Sequence, residues 1–250
     1  MARHLVPAVL VAAVLGFPSG ASAADIAVWT TRAIATVLAE IGGEFEQTTG
    51  HKLVVTSDLP PGFLRRARDG ERFDLLITGS DPIEQWFREG RLVATTRAAI
   101  ARSGIGVEVR AGSLKPDISS VSAFTQALVN AKSIAYLNVG SGIHLHGVMK
   151  RLGIAKDIEA KVVRPDTDIV SELVARGEVE LGMVVITQIL TSPGVELVGP
   201  LPPDLQSYVT FEAGVSAESK VPGAASQLIA FLRGTRAAAV IRSQGMEPAQ

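Results

Sequence analysis

The sequence predicts an α/β protein built from two lobes, each a mixed but mostly parallel sheet flanked by helices. Three observations predict this fold class. Short apolar runs alternate with segments of helical length, the alternation occurs twice along the chain, and an extended segment containing glycines separates the two series. Continuous apolar strands joined by helices are typical of a parallel sheet that is covered on both faces.

The first series has the pattern βαβαβα. In its first predicted helix, apolar side chains recur at helical spacing from Ile34 to Phe45, and Gly50 ends the run. The predicted strands of this series are residues 26–29, 53–56 and 74–78, and the predicted helices are residues 33–49, 62–68 and 81–89.

The pattern breaks at the extended segment 102–107 and then repeats. The second series has predicted helices at residues 124–130, 143–152 and 167–175, and predicted strands at residues 134–137, 161–163 and 181–185. The chain ends with a predicted strand at residues 208–215 and two short helices at residues 224–232 and 236–243, which are too little for a third domain.

These elements predict one lobe made from both ends of the chain and a second lobe inserted into it. The first lobe contains residues 24–103 and 208–250, and the second contains residues 104–207. Two extended crossovers near Ser103 and Ser207 connect the lobes. Prolines at positions 200, 202 and 203 predict a turn at the second crossover.

Residues 1–23 are predicted to be a secretory signal peptide. Arg3 precedes an apolar stretch at residues 5–17, and Ala21-Ser22-Ala23 supplies the small residues that signal peptidase requires before Ala24. Nothing after residue 23 is apolar over the about 18 residues that a transmembrane helix needs. The chain has no cysteine, so we expect it to fold without disulfide bonds.

Removal of the signal peptide takes Arg3 from the 24 basic residues, which leaves 23 against 25 acidic residues and a formal charge of −2. This balance predicts no general attraction to nucleic acid or to an anionic membrane. Any affinity for an anion must therefore come from local groups.

Catalytic motifs are missing from the sequence. It contains no Gly-x-Ser-x-Gly elbow, no Walker loop and no His-Glu-x-x-His motif, and without cysteine it has no thiol nucleophile. His144 and His146 are two positions apart on a predicted helix and so lie on different faces. We expect no catalytic residue, no metal and no cofactor.

Hydroxyl and glycine residues follow several predicted strands, just before a helix begins. They are Thr30 and Thr31, Ser57 and Asp58, Gly79 and Ser80, and Gly140, Ser141 and Gly142. Such turns gather at the carboxyl edge of a parallel sheet, where helix N-termini present free N–H groups. The pattern predicts an anion site between the lobes, although each residue alone is also a common helix cap.

The chain resembles the molybdate-binding family of periplasmic solute-binding proteins. Val139-Gly140-Ser141-Gly142-Ile143-His144 and Met149-Lys150-Arg151-Leu152-Gly153 are similar to the family's Val-Pro-Ala-Gly-Ile-Tyr and Leu-x-x-Leu-Gly runs. Further similar stretches lie within residues 45–50, 64–75, 179–184 and 231–246. The resemblance implies the two-lobed type 2 periplasmic-binding-protein fold, with an oxyanion in the cleft and delivery to an ABC permease.

The resemblance also implies positions for the site. Thr30 or Thr31 stands at the family's first-loop serine, and Ser141 stands at an alanine whose amide meets the anion. Residues 59–62 offer no hydroxyl at the second-loop serine, and Val185 replaces a tyrosine. The residues expected to bind the ligand are Thr30, Thr31, Arg32, Ser57, Asp58, Ser80, Ser141, Gly142, His144 and Val185.

Two ligand classes stay open because two side-chain donors are replaced. Each unsatisfied oxygen of a buried oxyanion costs about 1–3 kcal/mol, so an organic carboxylate fits the altered loops at least as well as a molybdate-like oxyanion. Asp58 repels either anion unless it caps the turn that follows it.

The expected function is that of a monomeric periplasmic binding component of an ABC importer, without enzymatic activity. The alternatives are a small-molecule-sensing domain and an enzyme on the same scaffold. For the enzyme, His144 with Asp168 or Glu172 supplies the only candidate groups.

Overall fold

A computed structural model of the protein describes residues 23–249. The predicted signal peptide therefore lies outside the described residues, except for its last residue. In chain order the elements are β1 (Asp25–Thr30), α1 (Arg32–Thr49), β2 (Lys52–Ser57), α2 (Pro60–Arg68), β3 (Leu75–Gly79), α3 (Ser80–Arg88), β4 (Ala98–Arg110), α4 (Val121–Asn130), β5 (Ile134–Ala135), α5 (Ser141–Arg151), α6 (Ala155–Ile158), β6 (Val162–Val163), α7 (Val170–Ala175), β7 (Leu181–Val185), α8 (Ile186–Thr191), β8 (Val195–Pro200), β9 (Tyr208–Val215), α9 (Pro222–Leu232), α10 (Thr235–Ser243) and β10 (Glu247–Pro248).

The predicted two-lobed α/β architecture is confirmed, with mixed sheets. The strand order is β2-β1-β3-β9-β4-β7-β5-β6. Strand β1 is parallel to β2 and β3, and strand β5 is parallel to β6 and β7. Every antiparallel pair in the described chain contains β4 or β9. These two strands therefore join two parallel units into one continuous sheet.

Strand β4 belongs to both halves of this sheet. Its residues 98–104 pair with β9, and its residues 105–110 pair with β7 and β8. The Gln206 side chain holds the second connection against this strand: its Oε1 accepts from the Ile105 amide at 2.9 Å, and its Nε2 donates to the Ile105 carbonyl at 2.9 Å. The two connections between the lobes are thus hydrogen-bonded to each other.

The first lobe has apolar packing on both faces of its sheet. Helix α1 covers one face with the apolar stripe that the sequence predicts, and it ends at Gly50, which has the left-handed φ of 77°. On the other face Trp29 stacks on Phe73 with ring centroids 4.5 Å apart, and Trp86 meets both rings edge-on. Strand β3 lies between the two layers, and its residues Leu75, Leu76 and Ile77 are fully buried.

The second lobe also packs two clusters, one on each side of its sheet. The larger one contains Phe124 and Tyr136, and the smaller one contains Leu137 and Val170. Leu59, at the start of α2 in the first lobe, packs against the smaller cluster. The lobes therefore share an apolar contact besides the two connections.

Several elements differ from the predicted ones. Strands β8 and β10 and helices α6 and α8 were not predicted from the sequence, and the extended segment predicted at residues 102–107 is part of β4, which runs over 13 residues. Strand β8 shows no alternation, since its first five residues are all half-buried. Helix α8 has six residues, too few for a helical period to appear. Within residues 23–249, none of the helices has the length and apolarity needed to cross a bilayer.

The start of helix α5 requires a glycine. A Cβ atom at Gly142 would lie 1.5 Å from the carbonyl oxygen of Leu137, which is an impossible approach to backbone. Gly147 lies in the same helix, and a Cβ atom there meets nothing within 4 Å.

We predict that Gly142→Ala lowers the free energy of unfolding by at least about 2 kcal/mol, because helix α5 must move away from the backbone of Leu137, which follows strand β5. Gly147→Ala is the matched control and should raise that free energy by up to about 1 kcal/mol, since alanine favours a helix interior. Urea denaturation of both variants measures the difference. Equal stabilities would contradict the packing described for α5.

Candidate functional site

The turn between β1 and α1 carries a hydroxyl without a partner. Thr31 is the N-cap of α1, but its side chain accepts no capping hydrogen bond. Its Oγ1 atom is buried and has no hydrogen-bond partner among the described residues. The neighbouring Thr30 is fully buried, and its hydroxyl lies 3.4 Å from the Thr31 carbonyl. A buried hydroxyl left unsatisfied costs about 1–3 kcal/mol, so such a group is a natural contact for a ligand.

Arg32, the first residue of α1, reaches from the first lobe to the second. Its Nη1 donates to Glu172 Oε1 at 2.6 Å, its Nη2 donates to the Asp168 carbonyl, and its Nε lies 3.5 Å from Asp168 Oδ2. Gln188 Nε2 donates to the other Asp168 carboxylate oxygen at 2.7 Å. We call Arg32, Asp168, Glu172 and Gln188 the interlobe ion cluster. This cluster joins Arg32 to Asp168 and Glu172, which follow it in the chain by 136 and 140 positions.

The second loop lies beside the first, but its carboxylate points to its own helix. Ser57 is the strand partner of Thr30 and is exposed. Asp58 Oδ1 accepts from the Leu59 amide at 2.8 Å, and its Oδ2 accepts from Arg66 Nε at 3.2 Å. Asp58 thus caps the turn that follows it. Both of its carboxylate oxygens accept hydrogen bonds there, from the Leu59 amide and from Arg66.

The third loop uses its hydroxyl within the first lobe. Ser80 Oγ donates to Glu212 Oε1 at 2.8 Å, and the other carboxylate oxygen of Glu212 accepts from Arg97 Nε at 2.6 Å. Ser80 therefore belongs to an ion network with Glu212 and Arg97 at the edge of strand β9.

In the second lobe, Ser141 begins helix α5 and is half-buried. The Gly142 amide donates to the Val139 carbonyl at 3.1 Å, so this N–H group is already used. His144 Nε2 donates to the Leu205 carbonyl at 2.8 Å and fixes α5 to the connection before β9. A pocket of about 420 Å³ opens beside this helix, lined by Asn138, Gly142, Ile143, His146, Glu159 and Arg164.

Val185 ends strand β7 and is 8% exposed, with its side chain packed in the main core of the first lobe. The next turn carries Thr187, whose amide donates to Ser103 Oγ at 3.3 Å and whose buried hydroxyl has no partner among the described residues. The position that the resemblance associates with a tyrosine is therefore apolar here, and an unpaired hydroxyl lies two residues later.

A buried carboxyl group stands behind the interlobe ion cluster. Glu108 on β4 is fully buried, and the Ser171 hydroxyl lies 3.0 Å from both of its oxygens. Burial raises the pKa of Glu108 to about 7; the Ser171 hydrogen bond opposes this rise, and the charges of Glu172 and Asp168 add to it. Burial also raises the pKa of Asp168, with Arg32 acting in the opposite direction.

Of the interlobe ion cluster, only Arg32 was expected as a ligand-site residue. Asp168, Glu172, Gln188 and the buried Glu108 were not. In sequence, Glu172 precedes Arg176 by four positions and so predicts a local helical pair. In the structure Arg176 pairs with Glu178 instead, and Glu172 pairs with Arg32. His144, expected near Asp168 or Glu172 only if the chain were an enzyme, bonds to Leu205. No group of three or more His, Cys, Asp or Glu within residues 23–249 is arranged to hold a metal ion.

The candidate site thus combines an unpaired hydroxyl and a guanidinium at the contact between the two lobes. A family model described as bacterial extracellular solute-binding protein matches residues 26–247. The chain is 28% identical over 229 residues to an aconitate isomerase from a Pseudomonas species, covering 89% of this chain and 87% of that protein.

Two further comparisons involve Azotobacter vinelandii. The chain is 26% identical over 235 residues to its molybdate-binding protein ModA, covering 90% of each protein. The solved structure of the periplasmic molybdate-binding protein from that organism superposes with a TM-score of 0.76 at 20% sequence identity, covering 92% of this chain and 100% of that chain. This structural likeness shows the two-lobed fold.

We predict that Glu108→Gln stabilises the protein at pH 8 by about 2–3 kcal/mol and changes little near pH 4.5. The folded-state pKa lies above the ordinary value of 4.5, so the contribution of Glu108 to stability is full below that pH and is lost as the pH rises through about 7. Urea denaturation at both pH values measures the difference.

Glu196→Gln is the control, because the salt bridge with Lys115 lowers the pKa of Glu196 and predicts the opposite pH trend. A gain from Glu108→Gln that is the same at both pH values would contradict the described state of Glu108.

Proposed function

The chain belongs to the family of bacterial extracellular solute-binding proteins, and from this we propose that it captures a small anion in the interlobe cleft and delivers it to an ABC-type importer. The unpaired, buried Thr31 hydroxyl beside Arg32 carries this proposal. It stands at the carboxyl edge of β1, where ligands of open α/β sheets bind. The apolar contact and the interlobe ion cluster support a cleft that closes around its ligand.

The lobe limits that we propose are residues 24–103 with 208–250, and residues 104–207. The change of pairing partner within β4, between Gly104 and Ile105, supports the first limit. The clamp of Gln206 on Ile105 supports the second. Hinge closure about these two connections brings Thr31 and Arg32 toward Ser141, and ligand contacts from both lobes stabilise the closed form.

An organic carboxylate is the ligand class that we favour over a tetrahedral oxyanion. The planar guanidinium of Arg32 matches a carboxylate through two parallel hydrogen bonds. Residues 59–62 lack a hydroxyl, and Val185 packs its side chain into the core. Both features remove donors that a molybdate ion needs on all sides. The name of the ModA relative supports molybdate instead, so both classes belong in one binding screen.

The screen is a thermal-shift series on residues 24–250 with molybdate, tungstate, sulfate, phosphate, citrate and aconitate. A ligand that binds only the folded form raises the melting temperature by mass action. A selective shift with a carboxylate supports the favoured class, and a selective shift with molybdate and tungstate replaces it with the oxyanion class. No shift with any of the six ions would contradict anion capture.

A second candidate function is isomerisation of an unsaturated carboxylic acid, favoured by the 28% identity to an aconitate isomerase over 89% of this chain. Such a reaction needs a general base with a pKa near neutrality. Asp168, whose pKa is raised by burial, lies in the cleft beside Arg32. Proton NMR of aconitate with the protein in D₂O tests this function, because isomerisation through proton transfer forms the other isomer and incorporates deuterium.

Export to the periplasm is part of the proposal. We predict that protein from a periplasmic extract begins at Ala24, because Ala21-Ser22-Ala23 supplies the small residues of a cleavage site. N-terminal sequencing of the extracted protein measures this. An intact Met1 would contradict the predicted signal peptide, and replacement of Ala23 by a bulky residue should block processing.

We predict that Thr31→Val weakens binding of the best anion of the screen by about fivefold to thirtyfold, the loss expected for one hydrogen bond to a charged group. The free energy of unfolding without ligand should stay unchanged or rise, because the hydroxyl has no partner to lose. Isothermal titration calorimetry measures the affinity. Thr48→Val is the control, since Thr48 bonds only to the Glu44 carbonyl of its own helix; equal affinities of the two variants would contradict a ligand role for Thr31.

A further inference from the structure

The Arg32 guanidinium, which the proposed function assigns to the ligand, already donates hydrogen bonds to oxygen atoms of the protein. Arg32 is bonded to a carboxylate oxygen of Glu172 and to the Asp168 carbonyl, and its Nε lies 3.5 Å from the Asp168 carboxylate. The side chains of Arg32, Asp168 and Glu172 are 30%, 18% and 39% exposed, so this contact is partly shielded from water. These hydrogen bonds use two of the five N–H donors of the guanidinium, so an anion that forms two parallel hydrogen bonds with Arg32 competes with these oxygens.

The charges around Arg32 are unbalanced in favour of carboxylates. Asp168 and Glu172 face it from the loop before α7 and from α7, and Glu108 lies behind them on β4. Arg176, one turn further along α7, turns to Glu178. An anion that enters the cleft therefore faces the carboxylates of Asp168 and Glu172 as well as the single guanidinium of Arg32.

We propose that Asp168 and Glu172 are specificity-determining residues, which hold Arg32 while the cleft is empty and compete with the ligand for its guanidinium. The inference rests on the proposed anion-binding function. Competition of this kind discriminates between anions by how well each one hydrogen-bonds to a guanidinium. A carboxylate that offers the guanidinium two parallel hydrogen bonds replaces the contacts with Glu172 and Asp168 and is accepted, and an anion with poorer geometry for a guanidinium is not.

The competition predicts tighter binding when the competitors lose their charge. Glu172→Gln and Asp168→Asn keep the shape of each side chain, and each should increase the affinity for aconitate by about tenfold. Glu196→Gln is the matched control: it removes the same charge in the second lobe, but its partner is Lys115, and it should leave the affinity within about twofold of the original protein. Calorimetry at pH 7.5 compares these proteins and the double variant, with aconitate and molybdate as probes.

The pH dependence gives an independent readout. Once a ligand takes Arg32, Asp168 loses the cation that opposes the effect of its burial, so its pKa rises further and binding takes up protons. The affinity of the original protein for aconitate should therefore increase from pH 8 to pH 6 more steeply than that of the double variant. Titration of the ligand itself acts equally on both proteins and cancels in the comparison.

Each outcome decides the inference. Unchanged or weaker binding by Glu172→Gln and Asp168→Asn, in a protein that binds aconitate, would overturn the competition and leave anion capture intact. Binding of a probe by the double variant alone would support the competition and would contradict anion capture by the original protein. If neither the original protein nor the double variant binds aconitate or molybdate, the proposed function and the inference both fail.

Discussion

Strand β4 is the constraint on which the arrangement of the two lobes depends. One end of its 13 residues is a central strand of the first lobe, and the other end is a central strand of the second. Because a strand is stiff along its hydrogen-bonded length, β4 fixes the two halves of the sheet relative to each other on either side of the change of partner between Gly104 and Ile105. The Gln206 side chain ties the segment before β9 to the same point. Both connections between the two halves of the sheet therefore lie side by side.

The same constraint explains why the cleft collects its polar groups. Parallel strands on both sides of β4 end toward the space between the lobes, and the turns after β1 and β5 lead directly into α1 and α5. At the first turn the fold leaves the Thr31 hydroxyl unsatisfied and sends Arg32 across the gap. The unsatisfied hydroxyl costs stability, and a buried polar group without a partner is typical of a functional site.

Local patterns were sufficient to predict most of the elements and the two-lobed plan. The helical stripe from Ile34 to Phe45 and the apolar strand β3 are buried as their periodicity predicts, because burial follows spacing within one element. Short elements with mixed burial, such as α8 and β8, carry no such signal.

The site was harder to predict, because its contacts are far apart in the chain. Thr31 was predicted from its position after a strand, and the structure confirms that position, while a ligand role for Thr31 and Arg32 stays a prediction. The partners of Arg32 lie 136 and 140 residues away, and the local spacing of Glu172 and Arg176 suggested a different pair. Ser80 satisfies its hydroxyl within the first lobe, which only the antiparallel return of β9 makes available.

The order in which the lobes are completed has a consequence for biosynthesis. The second lobe is continuous in sequence except for its shared strand, and all of its elements from α4 to β8 precede β9. The first lobe requires β9 between β3 and β4, and α9 and α10 complete its core. Pairing between strands so distant in sequence is slow. During synthesis the second lobe therefore has all of its own elements while the first lobe still lacks its central strand β9.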